Sequence, residues 1–317
     1  MPITLEQAQQ LSQSKLTSFV IDEFRKSALL DKLPFDNTAK PQGGETLSYV
    51  YNRVTTLPTA AGRTLNAEYE AQQAETTRQV VDLKIFGGSF QVDRVIAEHE
   101  RQVTDHVQFQ VQQKTNATIA LFHDQFINGD SSLGDGSAFD GIDKAITGST
   151  TELLPAANID LSGSAAIDTN WKVFLDSLRR LRARMDGTPT LYLMNQDMFA
   201  IFQSVMDRAG INLASKENYG FEVMQWGPSL VMPLGDKPGT SNAIIETDGD
   251  GLTSIYAARL SLDGVHGVSP DGTSIVKSYL PNMASPGAVK LGEVEMVAAV
   301  ALKASRSAAV LRKLKVG

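Results

Sequence analysis

Three glycines crowd the stretch Gly134-Asp-Gly-Ser-Ala-Phe-Asp-Gly-Ile-Asp143, and glycines so spaced can cradle phosphate. Backbone amides must approach a phosphate closely, and a Cβ would stand in their way. Gly136 and Gly141 have the separation of the two P-loop glycines. The chemistry fails at the next two positions. A P-loop continues with Lys to reach the phosphates and Ser or Thr to hold magnesium, and here Ile142 and Asp143 stand there. A dinucleotide site fails as well: its third glycine would fall at Phe139, and the stretch follows a helical pattern rather than a strand.

Other reactive groups lack partners in the same way. The four histidines are His99, His106, His123 and His266; no two are four apart, and His99-Glu100 is not followed by the second histidine of a zinc protease helix. Ser89 and Ser229 lack the closing glycine of a nucleophile elbow. The chain has no cysteine, which removes disulfides, zinc thiolates and thiol nucleophiles together. In the acidic stretch from Glu246 to Ala257, Asp248, Asp250 and Gly251 match positions 3, 5 and 6 of a calcium loop. Glu246 and Ala257 then fail positions 1 and 12. A hairpin turn joining two strands is the expectation there, because Asp-Gly pairs supply positive φ. Arg179, Arg180, Arg182 and Arg184 alternate with Leu178, Leu181 and Met185, as on the solvated face of an amphipathic helix. No catalytic, cofactor or metal site is expected, and the chain reads as something other than an enzyme.

The bulk numbers narrow the class. A length of 317 residues with 42% hydrophobic and 21% charged residues fits a folded chain of one or two domains. The net charge of −7 argues against a basic surface gripping nucleic acid, so only weak contact with DNA is expected. No signal peptide and no apolar run near 18 residues is present, so neither export nor a membrane partner is expected.

The elements follow from periodicity. Leu16, Phe19, Val20 and Phe24 mark an amphipathic N-terminal helix. Leu47, Tyr49 and Tyr51 alternate with polar residues in one strand, and Val81, Leu83 and Ile85 in a second. The polar connection between them is far longer than an ordinary hairpin loop, so it projects or is ordered by another molecule. From Asp93 to Asn128 a helical stripe runs through Val103, Val107, Val111, Ile119, Phe122 and Phe126. Asp93 is read as its cap and Gly129 as its left-handed stop. A rod of that length would span about 50 Å. An arginine-bearing helix, the buried strand "TLYLM", a helix capped by Asn195 and stopped by Gly210, and several strands complete the chain. The last two strands are read as a terminal pair. The class is α+β, without βαβ alternation.

This order of elements resembles the major capsid protein family of tailed bacteriophages. "HDQFINGDSSLGDGSAFDGI" resembles the helix end and loop that precede that family's domain crossover, and "LYLMNQDMFAIFQSVMDRAG" its strand and capped helix. The resemblance implies the Hong Kong 97-type capsid fold: an N-terminal arm (1–44), an E-loop (45–86) and a peripheral domain with its spine helix (87–149). An axial domain (150–279) and terminal strands returning to the peripheral domain (280–317) complete it. It also implies a virion capsid protein, assembled in the bacterial host cytoplasm as hexamers and pentamers around double-stranded DNA. Its implied partners are itself, a portal, a scaffold and decoration proteins.

Charges of both signs at Arg53, Arg63, Glu68, Glu70, Glu75, Arg78 and Lys84 are the candidates for contacts between subunits. Gly129, Gly136 and Gly141 are the candidates for a joint after the spine. Some family members crosslink a loop lysine to a neighbour's asparagine. Residues 43–83 contain no lysine, so covalent crosslinking is not expected here. The start of the sequence carries no coiled-coil-like leader, which suggests that scaffolding is separate or absent. The rival readings are an encapsulin shell, a soluble enzyme disfavoured by the failed motifs, and a tail or decoration protein, for which so long a helix fits poorly.

Overall fold

A computed structural model describes residues 29–38, 46–99, 106–211, 213–218, 221–270 and 275–317. The expected N-terminal amphipathic helix and Val103 lie outside these residues. Two sheets divide the strands. The five-stranded sheet contains β1 (Phe35–Asn37), β4 (Lys84–Asp93), β12 (Val265–Ser269), β13 (Val276–Tyr279) and β14 (Val289–Leu302). The eight-stranded sheet contains β5 (Glu152–Leu153), β6 (Ile159–Asp160), β7 (Leu191–Met194), β8 (Ala214–Asn218), β9 (Phe221–Trp226), β10 (Ser229–Pro233), β11 (Leu252–Ala258) and β15 (Ala308–Lys315). β2 (Ser48–Thr56) and β3 (Glu75–Asp82) pair only with each other, in an antiparallel hairpin.

The second expected strand splits at Leu83. β3 pairs with β2, and β4 then pairs with β14 from Lys84 to Asp93. β4 runs through Gly87 and Gly88, which look like breakers in the sequence, and alternates buried Phe86, Phe90 and Val92 with outward residues. Asp93 does cap the following helix, its carboxylate accepting a 2.8 Å bond from the Val95 amide. With the short α1 (Leu29–Lys32) before it, that helix is α2 (Arg94–His99), and a separate helix, α3, spans His106–Asn128. The 23 residues of α3 span about 35 Å. Phe122 and Phe126 are fully buried against β4 and β14, whereas Val107, Val111 and Ile119 are half-buried.

Beyond α3 lie the short helix α4 (Ile142–Ile146) and α5 (Ser164–Arg184), then β7 and α6 (Gln196–Arg208). All four residues of β7 are buried because its sheet is covered on both faces. Leu191 and Leu193 join the core around α3, whereas Tyr192 and Met194 join the core of α5 and α6. Phe174, Leu178 and Leu181 of α5 are fully buried, each stabilising the fold by about 1.5–3 kcal/mol. α6 has the expected ends. Asn195 accepts from the Met198 amide at 2.8 Å, and Gly210, at φ +67°, closes a Schellman turn with Ile211 N–H on the Met206 carbonyl.

Two expectations about pairing need correction. The terminal strands β14 and β15 do not pair; β14 lies in the five-stranded sheet and β15 beside β11 in the eight-stranded one. The acidic stretch does turn, with Gly251 at φ +77° donating to the Asp248 carbonyl, but Asn242–Glu246 forms no strand and β11 pairs with β15 and β7. The sheets therefore cut across the expected boundary at 279. β12 and β13 belong with β14, and β15 belongs with β7, β10 and β11. The chain crosses between sheets at 259–264 and again at 303–307. The two crossings are bonded to each other, Arg259 N–H to the Ser307 carbonyl at 2.8 Å and Lys303 N–H to the Gly264 carbonyl at 3.0 Å.

Candidate functional site

The β2–β3 hairpin has a gripped root and a bare tip. Alternation sends Tyr49, Tyr51 and Arg53 toward the five-stranded sheet. The Tyr49 hydroxyl donates to the Asp36 carboxylate at 2.6 Å, and the Tyr51 hydroxyl to the Leu302 carbonyl at 2.8 Å. The Arg53 guanidinium donates to the carbonyls of Leu302 and of Lys303, the latter at 2.9 Å. Lys303 lies over the Tyr49 ring at 5.2 Å and 3.8 Å from Asp36, and buried His266 meets the same ring edge-on at 5.6 Å. Burial, reinforced by the bond to Asp36, pushes the Tyr49 hydroxyl well above the ordinary tyrosine value. Burial would raise Asp36 too, but the Tyr49 hydroxyl, the Asn37 amide and Lys303 outweigh it and hold the carboxyl below its usual value.

On the hairpin's other face Val50 and Val80 stand opposite each other and, with Val54, are exposed. Every residue from 54 to 78 is exposed, and Leu65 and Tyr69 are 93% and 65% open to solvent. The bonds seen in the connecting loop are its own: Thr59 to Gln72 at 2.8 Å, and Arg63 to the Ala67 carbonyl at 3.0 Å.

The seven charged candidates consequently separate. Arg63, Glu68, Glu70, Glu75 and Arg78 stand on the exposed part of the hairpin, whereas Arg53 is bonded within the chain. Lys84 is also engaged internally, donating to the Gly136 carbonyl at 2.7 Å. The sequence marks Tyr49 and Tyr51 only as one face of a strand, and Asp36 and Lys303 not at all. The one available signal was the aromatic spacing of β2 ending in an arginine.

The glycine stretch forms a clasp. Gly129 is not left-handed, contrary to expectation, since its φ lies outside the positive region. It is glycine because a Cβ would lie 2.2 Å from the Phe139 carbonyl oxygen and 2.5 Å from that of Gln125. Gly141 crosses at the same place: its Cβ would meet the Ile127 and Gln125 oxygens at 2.5 and 2.6 Å, and its amide donates to the Gly129 carbonyl at 2.8 Å. Lys144 ties Asp130 and Asp140 together at 2.5 and 2.7 Å. The lysine and the bonds from Ser132 bring the Asp130 carboxyl down to about 2. Gly134 and Gly136, at φ +64° and +72°, are the residues the turn requires to be left-handed. Phe139 and Ile142 are buried in the core that holds Phe86 and Phe122.

Beyond the clasp, Arg312 on β15 binds Glu152 at 2.5 Å and Asp143 at 2.6 Å, and the Tyr256 hydroxyl donates to the same Asp143 oxygen at 2.7 Å. This fastens α4 to the eight-stranded sheet. Among the described residues no group of His, Asp and Glu could hold a metal ion, and no helix is long and apolar enough to cross a membrane. The Asp248 carboxylate is taken up by the amides of Asp250 and Leu252. His123 is a packed core residue, brought down to about 4 by burial. The side chains of His99 and His106 lie outside the described residues.

No family model and no curated protein sequence matches the chain. Solved structures match over its whole length. The SrpI encapsulin of Synechococcus elongatus is similar at a TM-score of 0.64 with 15% identity, covering 99% of this chain and 97% of that one. A structure described as Mycobacterium phage Bobi gives 0.60 with 12% identity over 100% of both chains. The capsid of a native GTA particle gives 0.58 with 12% identity over 98% and 100%. The chain has the Hong Kong 97-type capsid fold. Within this fold the hairpin has a gripped root and a bare tip, and the clasp sits where the chain leaves α3 for the second sheet.

Proposed function

We propose that this chain is the major capsid protein of a tailed phage, assembling as hexamers and pentamers into an icosahedral shell around double-stranded DNA. The observation that carries this reading is the hairpin. A projecting element with Leu57, Leu65 and Tyr69 exposed at its far end makes little physical sense on a lone subunit in water. Repeated around a closed shell, many modest contacts of this kind add up to a strong whole.

In this reading the hairpin is the E-loop, and α2 and α3 contribute the spine. The five-stranded sheet with α3 is the peripheral domain, and the eight-stranded sheet with α5 and α6 the axial domain. The expected boundaries are thus redrawn along the sheets. The net charge of −7 suits a shell that holds its genome loosely. Portal, scaffold and decoration proteins are the further partners, and the host cytoplasm is the place of assembly.

An encapsulin shell is the second reading, supported by the similarity to the SrpI encapsulin. Electron microscopy of the full chain, expressed alone and with its neighbouring genes, tests both. Closed particles protecting nuclease-resistant DNA support the capsid, particles filled with a protein cargo support the encapsulin, and discrete monomers under every condition contradict both.

A further inference from the structure

A groove of about 520 Å³ runs along α5, closed on its other side by the connection from β5 to β6. Arg180 and Arg184 line it one helical turn apart, and no Asp or Glu does, although the chain as a whole carries a net charge of −7. The neighbouring carboxylates are engaged elsewhere. Glu152 is bonded to Arg312 at 2.5 Å, Asp176 to Arg179 at 2.9 Å, and Asp160 accepts from the Ser162 hydroxyl at 2.7 Å. Arg184 is held in place, its guanidinium donating to the Glu152 carbonyl at 2.5 Å. Its own carbonyl accepts from Arg306 at 3.1 Å, which offsets the negative end of the helix. Arg180 is exposed and has no hydrogen-bond or ion-pair partner among the described residues. The facing wall adds donors: the amides of Ala156, Ala157 and Asn158 reach no acceptor among the described residues. Lys313, left-handed at φ +61° although not a glycine, steadies that wall through the Pro155 carbonyl at 3.3 Å and sets a third positive charge behind it.

We infer that this groove is a binding site for a phosphate group. Two guanidinium groups one turn apart match the oxygens of a single phosphate, and such charge-assisted bonds are about twice as strong as neutral ones. Arg184 is the fixed arm and Arg180 the free one, with the wall amides left for the remaining oxygens. Leu154, Pro155 and Val173 supply apolar lining for the carbon part of an ester. In a shell of the kind proposed above the abundant ester is the backbone of the enclosed DNA, an assignment that rests on that reading; a free phosphate is the other source of the same chemistry. One such contact releases about one counterion, so each subunit holds its phosphate weakly and salt loosens it.

Phenylglyoxal, which condenses with free guanidinium groups, reads the site residue by residue when the full chain is treated, digested at acidic residues and analysed by mass spectrometry. Arg180 should react readily, and about fivefold more slowly when inorganic phosphate or a short DNA duplex at low salt is added, while Arg179 and Arg94 react as before. Arg180→Gln should lower the affinity for the duplex about fivefold, read by fluorescence anisotropy, with an unchanged Tm. Lys172→Gln, an equal loss of charge on the same helix outside the groove, should leave that affinity unchanged. Protection by phosphate and duplex together supports the site and its DNA source; protection by phosphate alone supports the site and assigns it to a free anion. No protection of Arg180, equal protection of Arg179, or equal losses from the two variants overturns the inference. Electron microscopy of the same preparation records particle formation separately, so failure of the shell reading leaves the phosphate measurement standing.

Discussion

The loops 130–140 and 57–74 are both rich in small and polar residues, yet one is closed on itself and the other is not. In the first, Gly129 and Gly141 cross at backbone contact, Lys144 pairs with two aspartates, and Phe139 plugs the core. In the second, a few internal bonds hold a ribbon whose every side chain is exposed. Length and composition do not distinguish a closed loop from an open one. What distinguishes them is whether the groups that folding leaves unpaired find partners within the same chain.

Breaking the closed loop should have the largest effect. Gly141→Val drives a side chain into the carbonyls of Ile127 and Gln125 and should destabilise the subunit by about 3 kcal/mol or more, seen as lost solubility or a lowered urea midpoint. Gly136→Ala, with nothing nearer than the Ser131 oxygen at 3.7 Å, should cost only the left-handed backbone, about 1 kcal/mol. Equal losses from the two would refute the clasp.

The helix leading into the clasp carries a pH dependence of its own. Burial holds His123 at about 4 against an ordinary 6.5, so the unfolded chain takes up its proton first as pH falls. Stability should be fully present above about pH 6.5 and decline by up to ~3 kcal/mol toward pH 4. Buried His266, also near 4, adds in the same direction. Denaturation curves across that window should flatten in His123→Gln, and an unchanged slope would remove the histidine from the account.

The hairpin should respond differently at its two ends. Arg53→Ala removes the bonds to two carbonyls at the root and should lower subunit stability by about 1–2 kcal/mol, measured by thermal unfolding. Leu65→Ser with Tyr69→Ser should change subunit stability by less than ~0.5 kcal/mol while reducing particle yield. A tip variant that unfolds the monomer, or leaves assembly untouched, would erase the contrast. The mildest expectation is chemical: assembled material should run as a single band on a denaturing gel, since Lys84 is bonded to Gly136 and the hairpin beyond it has no lysine.

Much of this was legible where the signal is local. Asn195 and Gly210 delimit α6 because caps act within one turn, and "TLYLM" reads as buried because both faces of its sheet are covered. The hairpin was legible as a polar interval between two alternating runs. Partners were not, because alternation states that a segment is a strand without stating beside which strand it lies. Hence the terminal strands were paired wrongly, and β4 disappeared behind Gly87 and Gly88. Of the candidate site, the exposed charges were found and the root was missed. Arg53 continues the alternation of Tyr49 and Tyr51 that turns inward, whereas Arg78 has no such aromatic frame and only its register opposite Asn52 places it outward.

The root bonds have a mechanical consequence. Tyr51 and Arg53 hold Leu302 and Lys303, the point at which the chain departs one sheet for the other. The hairpin is thus anchored at the crossing between the two sheets. β2 runs only three residues beyond Arg53, about 10 Å, so a tilt of roughly ten degrees at Arg53 carries the end of the strand about 2 Å.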